Sequence, residues 1–181
     1  MAVSPVYYHV RALRRMQTCP RGCILDCMSD TERFQRAIRS IDEANGKDPN
    51  SEVVDGVAQP KEQLYGMRMQ KWVEQLDPQA PEALRIAARS QHLRRWEIPR
   101  SEYPMDRKGY LRWRTTLYGF HADKASEILR AQEYDAETIE HVRTLLQKRN
   151  LRTDTDVQTL EDAAALVFLE YHLDDFLKRD D

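Results

Sequence analysis

From residue 31 onward, apolar positions recur at helical spacing. Phe34, Ala37, Ile38 and Ile41 form one stripe, which ends in the turn residues "NGKDPN". The pattern predicts a polar loop over 46–60. A second helix then opens at Pro60 and carries Leu64 or Tyr65, Met69, Trp72, Val73 and Leu76 on its inner face. "DPQAP" breaks the chain, and "PEALRIAARSQHLRRW" reads as a third helix with Leu84, Ala87, Ala88, Gln91 and His92 aligned. His92 follows Ala88 by four residues and Leu84 by eight, so the phase turns it toward the core.

Asp106 is a good N-cap for a long helix on which Tyr110, Trp113, Leu117, His121, Ala125 and Ile128 share a face, so His121 also points inward. "YDAET" caps a short helix through Ile139, Val142 and Leu146. A last helix runs from about Val157 to Lys178, and its segment "AAALVFL" is apolar nearly all round, which predicts a central position. Alternation of the kind that marks strands is not evident. The expected fold is all-α, a single bundle of six or seven helices.

Composition narrows the classes. A chain of 181 residues with 41% hydrophobic and 32% charged residues has room for one well-cored soluble domain. Its longest apolar run is far below the roughly 20 residues that cross a bilayer, so a cytoplasmic protein with no membrane partner is expected. The net charge of −2 hides a strip: residues 89–114 carry eight basic and three acidic groups, whereas 115–181 carry eight basic and fifteen acidic ones. A local excess of this size suits a small anionic partner better than nucleic acid, which is usually met by a whole basic face. Trp96, Tyr103, Tyr110 and Trp113 interleave with the arginines, as stacking sites do, and keep a nucleic-acid-associated reading as a lesser alternative.

The three cysteines all lie in "CPRGCILDC", ending at Cys27. Thiolates bind soft metals, but no further ligand follows at useful spacing. Ser29, Asp30 and Thr31 offer a helix N-cap just beyond. Residues 1–27 are therefore expected to be a leader or loosely attached tail whose deletion leaves stability nearly unchanged, and 28–181 the helical domain.

Two inward histidines and the acidic pair Glu161-Asp162 thus fall on three helices. Their order, carried by "AARSQHLRRW", "GFHADKASEIL" and "VQTLEDAAALVFLE", resembles the HD-domain superfamily of metal-dependent phosphohydrolases over about residues 62–175. The motif is incomplete. "QLYGMRMQKWVEQL" has Tyr65 or Arg68 where the superfamily has its first His, and Gln91-His92-Leu93 lacks the paired Asp. More closely, "YPMDRKGYLRWRTTL" together with "RSQHLRRWEIPR" and "QTLEDAAALVFLE" resembles a family named domain of unknown function 4202, across nearly all of 31–178. That resemblance implies an HD-like helical fold without an established activity.

On the HD resemblance, His92, His121 and Asp162 would hold one divalent ion, manganese, magnesium, iron or zinc, whose bound water becomes the nucleophile, with Glu161 as general base. Arg68, Arg89, Arg95, Arg107 and Arg112 would grip a phosphate, since guanidinium forks match its oxygens. The expected activity is hydrolysis of a nucleotide or other phosphate ester. The alternatives are a metal-free, non-catalytic module for an anionic or phosphorylated ligand, and a structural or interaction protein.

Overall fold

A computed structural model describes residues 23–178, with side chains from Asp30 onward. Seven α-helices and one short hairpin make up the described chain: α1 (Cys23–Asn45), β1 (Ser51–Val54), β2 (Val57–Pro60), α2 (Lys61–Leu76), α3 (Glu82–Ser90), α4 (Arg107–Ala131), α5 (Ala136–Leu146), α6 (Thr155–Tyr171) and α7 (Leu173–Leu177). Two single 3₁₀ turns, Arg95–Glu97 and Arg100–Glu102, bridge α3 to α4. The fold is mostly helical, in line with the periodicity.

Helix α1 begins at Cys23, several residues before the cap expected at Ser29–Thr31. No proline or glycine interrupts residues 23–31, so nothing stops the helix there. The expected tail boundary at residue 27 therefore falls inside α1. Residues 1–22, with Cys19, lie outside the described residues, as do the side chains of Cys23 and Cys27. The metal reading of the cysteines and the behaviour of the tail lie there too.

The expected loop at 46–60 holds an antiparallel hairpin, with Glu52 paired to Gln59 and Val54 to Val57. Its two-residue turn is Asp55-Gly56, with φ of 51° and 80°. Asp-Gly at positive φ between valines is the turn chemistry that closes a two-residue hairpin. The strands are only four residues long and largely exposed, which is why no alternating pattern announced them. Asp48 joins the hairpin to α2: one carboxylate oxygen accepts from the Asn50 amide at 2.9 Å, the other from the Glu62 amide at 3.0 Å. It satisfies one of the free N–H groups at the start of α2.

The core gathers around α3, where Leu84, Ile86, Ala87 and Ala88 are fully buried against α1, α2 and α5. Small residues let these helices approach. At Gly66 of α2 a Cβ would stand 2.7 Å from the Arg89 carbonyl oxygen of α3, closer than real contacts allow. Helix α4 starts at the predicted cap, with Asp106 accepting from the Gly109 amide at 2.6 Å. Asp135 and Asp154 cap α5 and α6 in the same way.

Helix α6 is not central. Val157, Leu160, Ala163 and Val167 form one buried stripe, while Phe168 and Leu169 remain 39% and 54% exposed. The all-round apolar segment is divided between core, cavity wall and surface. The predicted last helix also breaks at His172, where φ of −131° separates α6 from α7.

Candidate functional site

A cavity of about 550 Å³ opens between α2, α4 and α6, beside the turn that follows α3. Arg68, His92, Arg95, His121 and Glu161 line it, together with Lys61, Glu62, Tyr65, Arg114 and Lys148. The two histidines come together, with ring centroids 6.0 Å apart. His92 lies just beyond the end of α3 rather than on it, because the helix stops at Ser90. Arg94 then takes a left-handed conformation, φ 55°, held by its amide donating to the Asn45 side-chain oxygen at 2.9 Å. A non-glycine residue in that region costs of order 1–3 kcal/mol and persists only where its surroundings impose it. Here the kink turns Arg95 back toward the His92 ring.

His92 is held by three neighbours. Its Nδ1 lies 2.9 Å from a carboxylate oxygen of Glu62, its ring stacks on Tyr65 at 3.8 Å, and an Arg95 nitrogen sits 3.2 and 3.4 Å from its two ring nitrogens. A donor nearly equidistant from both nitrogens is in line with neither lone pair, so Arg95 does not use up Nε2. Burial holds His92 well below the usual imidazole range, and the positive charge of Arg95 adds to the effect. Burial pushes Glu62 up, opposed by Arg95 and Lys61, whose charges favour its carboxylate. The pair is therefore best described as a neutral imidazole donating Nδ1–H to a carboxylate. That bond fixes the tautomer and leaves Nε2 as a lone pair.

His121 has a different setting. It is 3% exposed, and its Nδ1 lies 2.9 Å from the Leu93 carbonyl oxygen. A carbonyl only accepts, so Nδ1 carries the proton. Burial lowers this group to about 3, reinforced by His92. Its Nε2 is buried without a hydrogen-bond partner, and the same holds for Oε1 of Gln91, also on the cavity wall.

The charged groups divide into paired and unpaired. Arg68 donates to Glu52 of β1 at 2.6 Å and lies over the Tyr171 ring. Lys148 forms a close ion pair with Glu161. Glu161 is therefore neutralised by a lysine, a poor setting for the general base expected of it. Arg114 donates to the Tyr118 hydroxyl at 2.6 Å, and Arg95 lies over the Trp113 ring at 4.9 Å. Among the described residues, no ion pair joins Lys61, Arg95 or Arg114 to a carboxylate.

Several expected site residues lie elsewhere. Asp162 is exposed and outside the cavity, because consecutive helical positions are turned about 100° apart and Glu161 already faces inward. Arg89 points to α1, where it grips Asp42 through two bonds of 2.6 and 2.7 Å. Arg112 is exposed; nine residues before His121, it sits on roughly the opposite side of α4. Arg107 is exposed at the start of α4, about 21 Å along the axis from His121. Trp113 is buried and donates its indole N–H to the Ile98 carbonyl at 2.8 Å, so it is not the free stacking platform that nucleic acid would need.

Glu62, Lys61, Arg114, Lys148 and His172 were not anticipated. Two of them carried a signal. Arg114, Leu117, Tyr118 and His121 share one face of α4 at i, i+3, i+4 and i+7, and Glu62, Tyr65 and Arg68 follow one another by threes on α2. Lys148 carried none, since it enters from the turn after α5 with φ 56°.

The donor set does not fit a divalent ion. Asp162 is turned away, and the carboxylates on the wall are already engaged: Glu161 on Lys148, Glu62 on His92 and Glu52 on Arg68. Among the described residues no group of three or more His, Cys, Asp or Glu side chains is placed to hold a metal ion. The arrangement instead offers fixed cations, a neutral imidazole backed by a carboxylate, and buried acceptors. No described helix is long and apolar enough to cross a membrane.

Searches of curated proteins and of solved structures returned no match. Residues 35–181, which include every wall of the cavity, match the family described as domain of unknown function (DUF4202). The chain belongs to that family.

Proposed function

We propose that the cavity binds a small phosphate-bearing molecule, and does so without a metal ion. The carrying observation is that Lys61, Arg95 and Arg114 line one cavity without a carboxylate partner. Arg95 and Arg114 are half-buried, and holding cations there without a carboxylate is costly unless an anion completes the site, while the exposed Lys61 adds its charge at the rim. Guanidinium groups are suited to phosphate oxygens, and a volume of about 550 Å³ is that of a typical small-molecule site. On this reading the chain is a reduced HD-like protein, in which the superfamily's metal ligands are replaced by a cationic binding surface.

The test is a thermal-shift screen of nucleotides and sugar phosphates in the presence of a chelator. Ligands that bind the folded state raise its melting temperature by mass action. Phosphate compounds are expected to do so for the native chain and to fail for the Arg95→Met, Arg114→Met double variant. No shift by any phosphate compound at about millimolar concentration, where weak binding already registers, would refute the reading.

The Glu62–His92 pair favours a second, catalytic reading: hydrolysis of the bound phosphate ester. His92 Nε2 would take a proton from water as the water oxygen bonds to phosphorus and the ester P–O bond breaks, with the leaving oxygen protonated from solvent. Release of nitrophenol from p-nitrophenyl phosphate in chelator, abolished in His92→Ala, is the measurement that supports it.

A further inference from the structure

The cavity presents acceptors as well as cations, and phosphate alone cannot satisfy both. His121 lines the cavity with its Nδ1 committed to the Leu93 carbonyl, so Nε2, at the other end of the ring, is an unshared lone pair, buried and without a partner. Gln91 Oε1 is in the same position. A phosphate dianion has only acceptor oxygens and can answer neither. The missing groups must be hydrogen-bond donors, and they must be neutral, because Arg95, Lys61 and Arg114 repel an ammonium.

Hydroxyls and nucleobase amino groups both meet that description. The rings of the wall favour hydroxyls. Tyr65 is stacked on His92, Tyr118 has Lys148 and Arg114 near its ring at 5.0 and 5.6 Å, and Phe168 meets Phe176 edge-on at 5.7 Å. One face of Tyr65 and the ring of Tyr118 are thus engaged by the protein's own side chains, which disfavours a base sliding between them. Tyr110, 43% exposed on the same wall, is the ring a base could still meet. We infer that the ligand is a phosphorylated polyol or sugar, its phosphate held by Lys61, Arg95 and Arg114 and a hydroxyl group donating to His121 Nε2, with a second reaching Gln91. This rests on the anion-binding reading above and adds the chemical class of the ligand.

The test is isothermal titration calorimetry on the full chain in chelator, comparing ribose 5-phosphate, n-butyl phosphate and inorganic phosphate. Ribose 5-phosphate is expected to bind at least ten-fold more tightly than n-butyl phosphate. In His121→Asn the side-chain amide still donates to Leu93 but no acceptor stands in place of Nε2, and the advantage should fall to about two-fold while inorganic phosphate binds as before. Gln91→Leu provides a second variant should His121→Asn fold poorly, with a partial loss expected. Equal affinity for the sugar and butyl esters, or a preference that persists in both variants, overturns the inference and leaves anion binding intact. So does adenosine monophosphate binding far more tightly than ribose 5-phosphate, which would assign the acceptors to a base. If none of the phosphate compounds binds, the underlying anion reading fails as well.

Discussion

Arg89 offers a sharp separation between stability and binding, because the sequence places it three residues before His92 while the structure turns it to the opposite partner. Its guanidinium forms a two-pronged pair with Asp42, and the two side chains keep 11% and 25% of their exposure. Fully exposed pairs contribute about 0–1 kcal/mol, and breaking a fully buried pair costs about 3–5 kcal/mol. This pair lies between, so Arg89→Met should cost about 2–3 kcal/mol, most of it from leaving the Asp42 carboxylate without its partner. For a domain of this length each kcal/mol moves the melting temperature by about 2–4 °C, which gives an expected fall of roughly 4–12 °C. Differential scanning calorimetry measures it. Asp42→Asn should lower stability in the same direction, and the double variant Arg89→Met, Asp42→Leu should recover part of the loss, since neither charge is then left alone. Affinity for inorganic phosphate should stay within about two-fold throughout, because neither residue lines the cavity. A variant with unchanged melting temperature and lost phosphate binding would refute the assignment and return Arg89 to the site.

Arg95→Met should weaken inorganic phosphate binding by about ten-fold or more, with a small change in melting temperature, as followed by titration calorimetry; this is the inverse of Arg89. Glu62→Gln removes a negative charge from beside the cations and should tighten phosphate binding several-fold, while its side-chain oxygen still accepts from His92; weaker binding would show that Glu62 helps to hold the ligand. His121 is lowered in the fold from 6.5 to about 3, so below pH 6.5 the unfolded chain takes up a proton that the folded chain refuses. Stability is therefore full above that pH and falls as pH drops toward 3, with a slope of up to roughly 1.4 kcal/mol per unit from this group. His92, lowered in the same direction, adds to the slope. Denaturant titrations between pH 7 and 5 should show it, and a slope unchanged in His121→Asn would contradict the buried neutral imidazole. Gly66→Ala should destabilise despite alanine's better helix propensity, because the added Cβ meets the Arg89 carbonyl at 2.7 Å; calorimetry showing a stabilised protein would mean that α2 and α3 can separate freely.

Much of the helical framework was legible in the chain because the 3.6-residue period reports which side of a helix is dry. Phe34, Ala37, Ile38 and Ile41 are buried as their spacing requires, Asp106 caps α4, and His121 faces inward in register with Leu117 and Ala125. Period reports a direction, not a neighbour. It could place His92 and His121 inside, yet only tertiary packing brought their rings to 6.0 Å and set Glu62, thirty residues upstream, against the first. The arginines show the same limit. Arg89, Arg95, Arg112 and Arg114 are equivalent as composition, but the fold gives Arg89 a carboxylate on α1, turns Arg112 to solvent and leaves Arg95 and Arg114 lining the cavity. The hairpin lay between these cases: Asp55-Gly56 was a readable turn, but its strands are too short and too exposed for alternation to appear. Local chemistry thus determined where helices run and which faces are buried. Which charges are cancelled and which stay available for an anion depends on distances between residues far apart in sequence, and only the tertiary structure decided that.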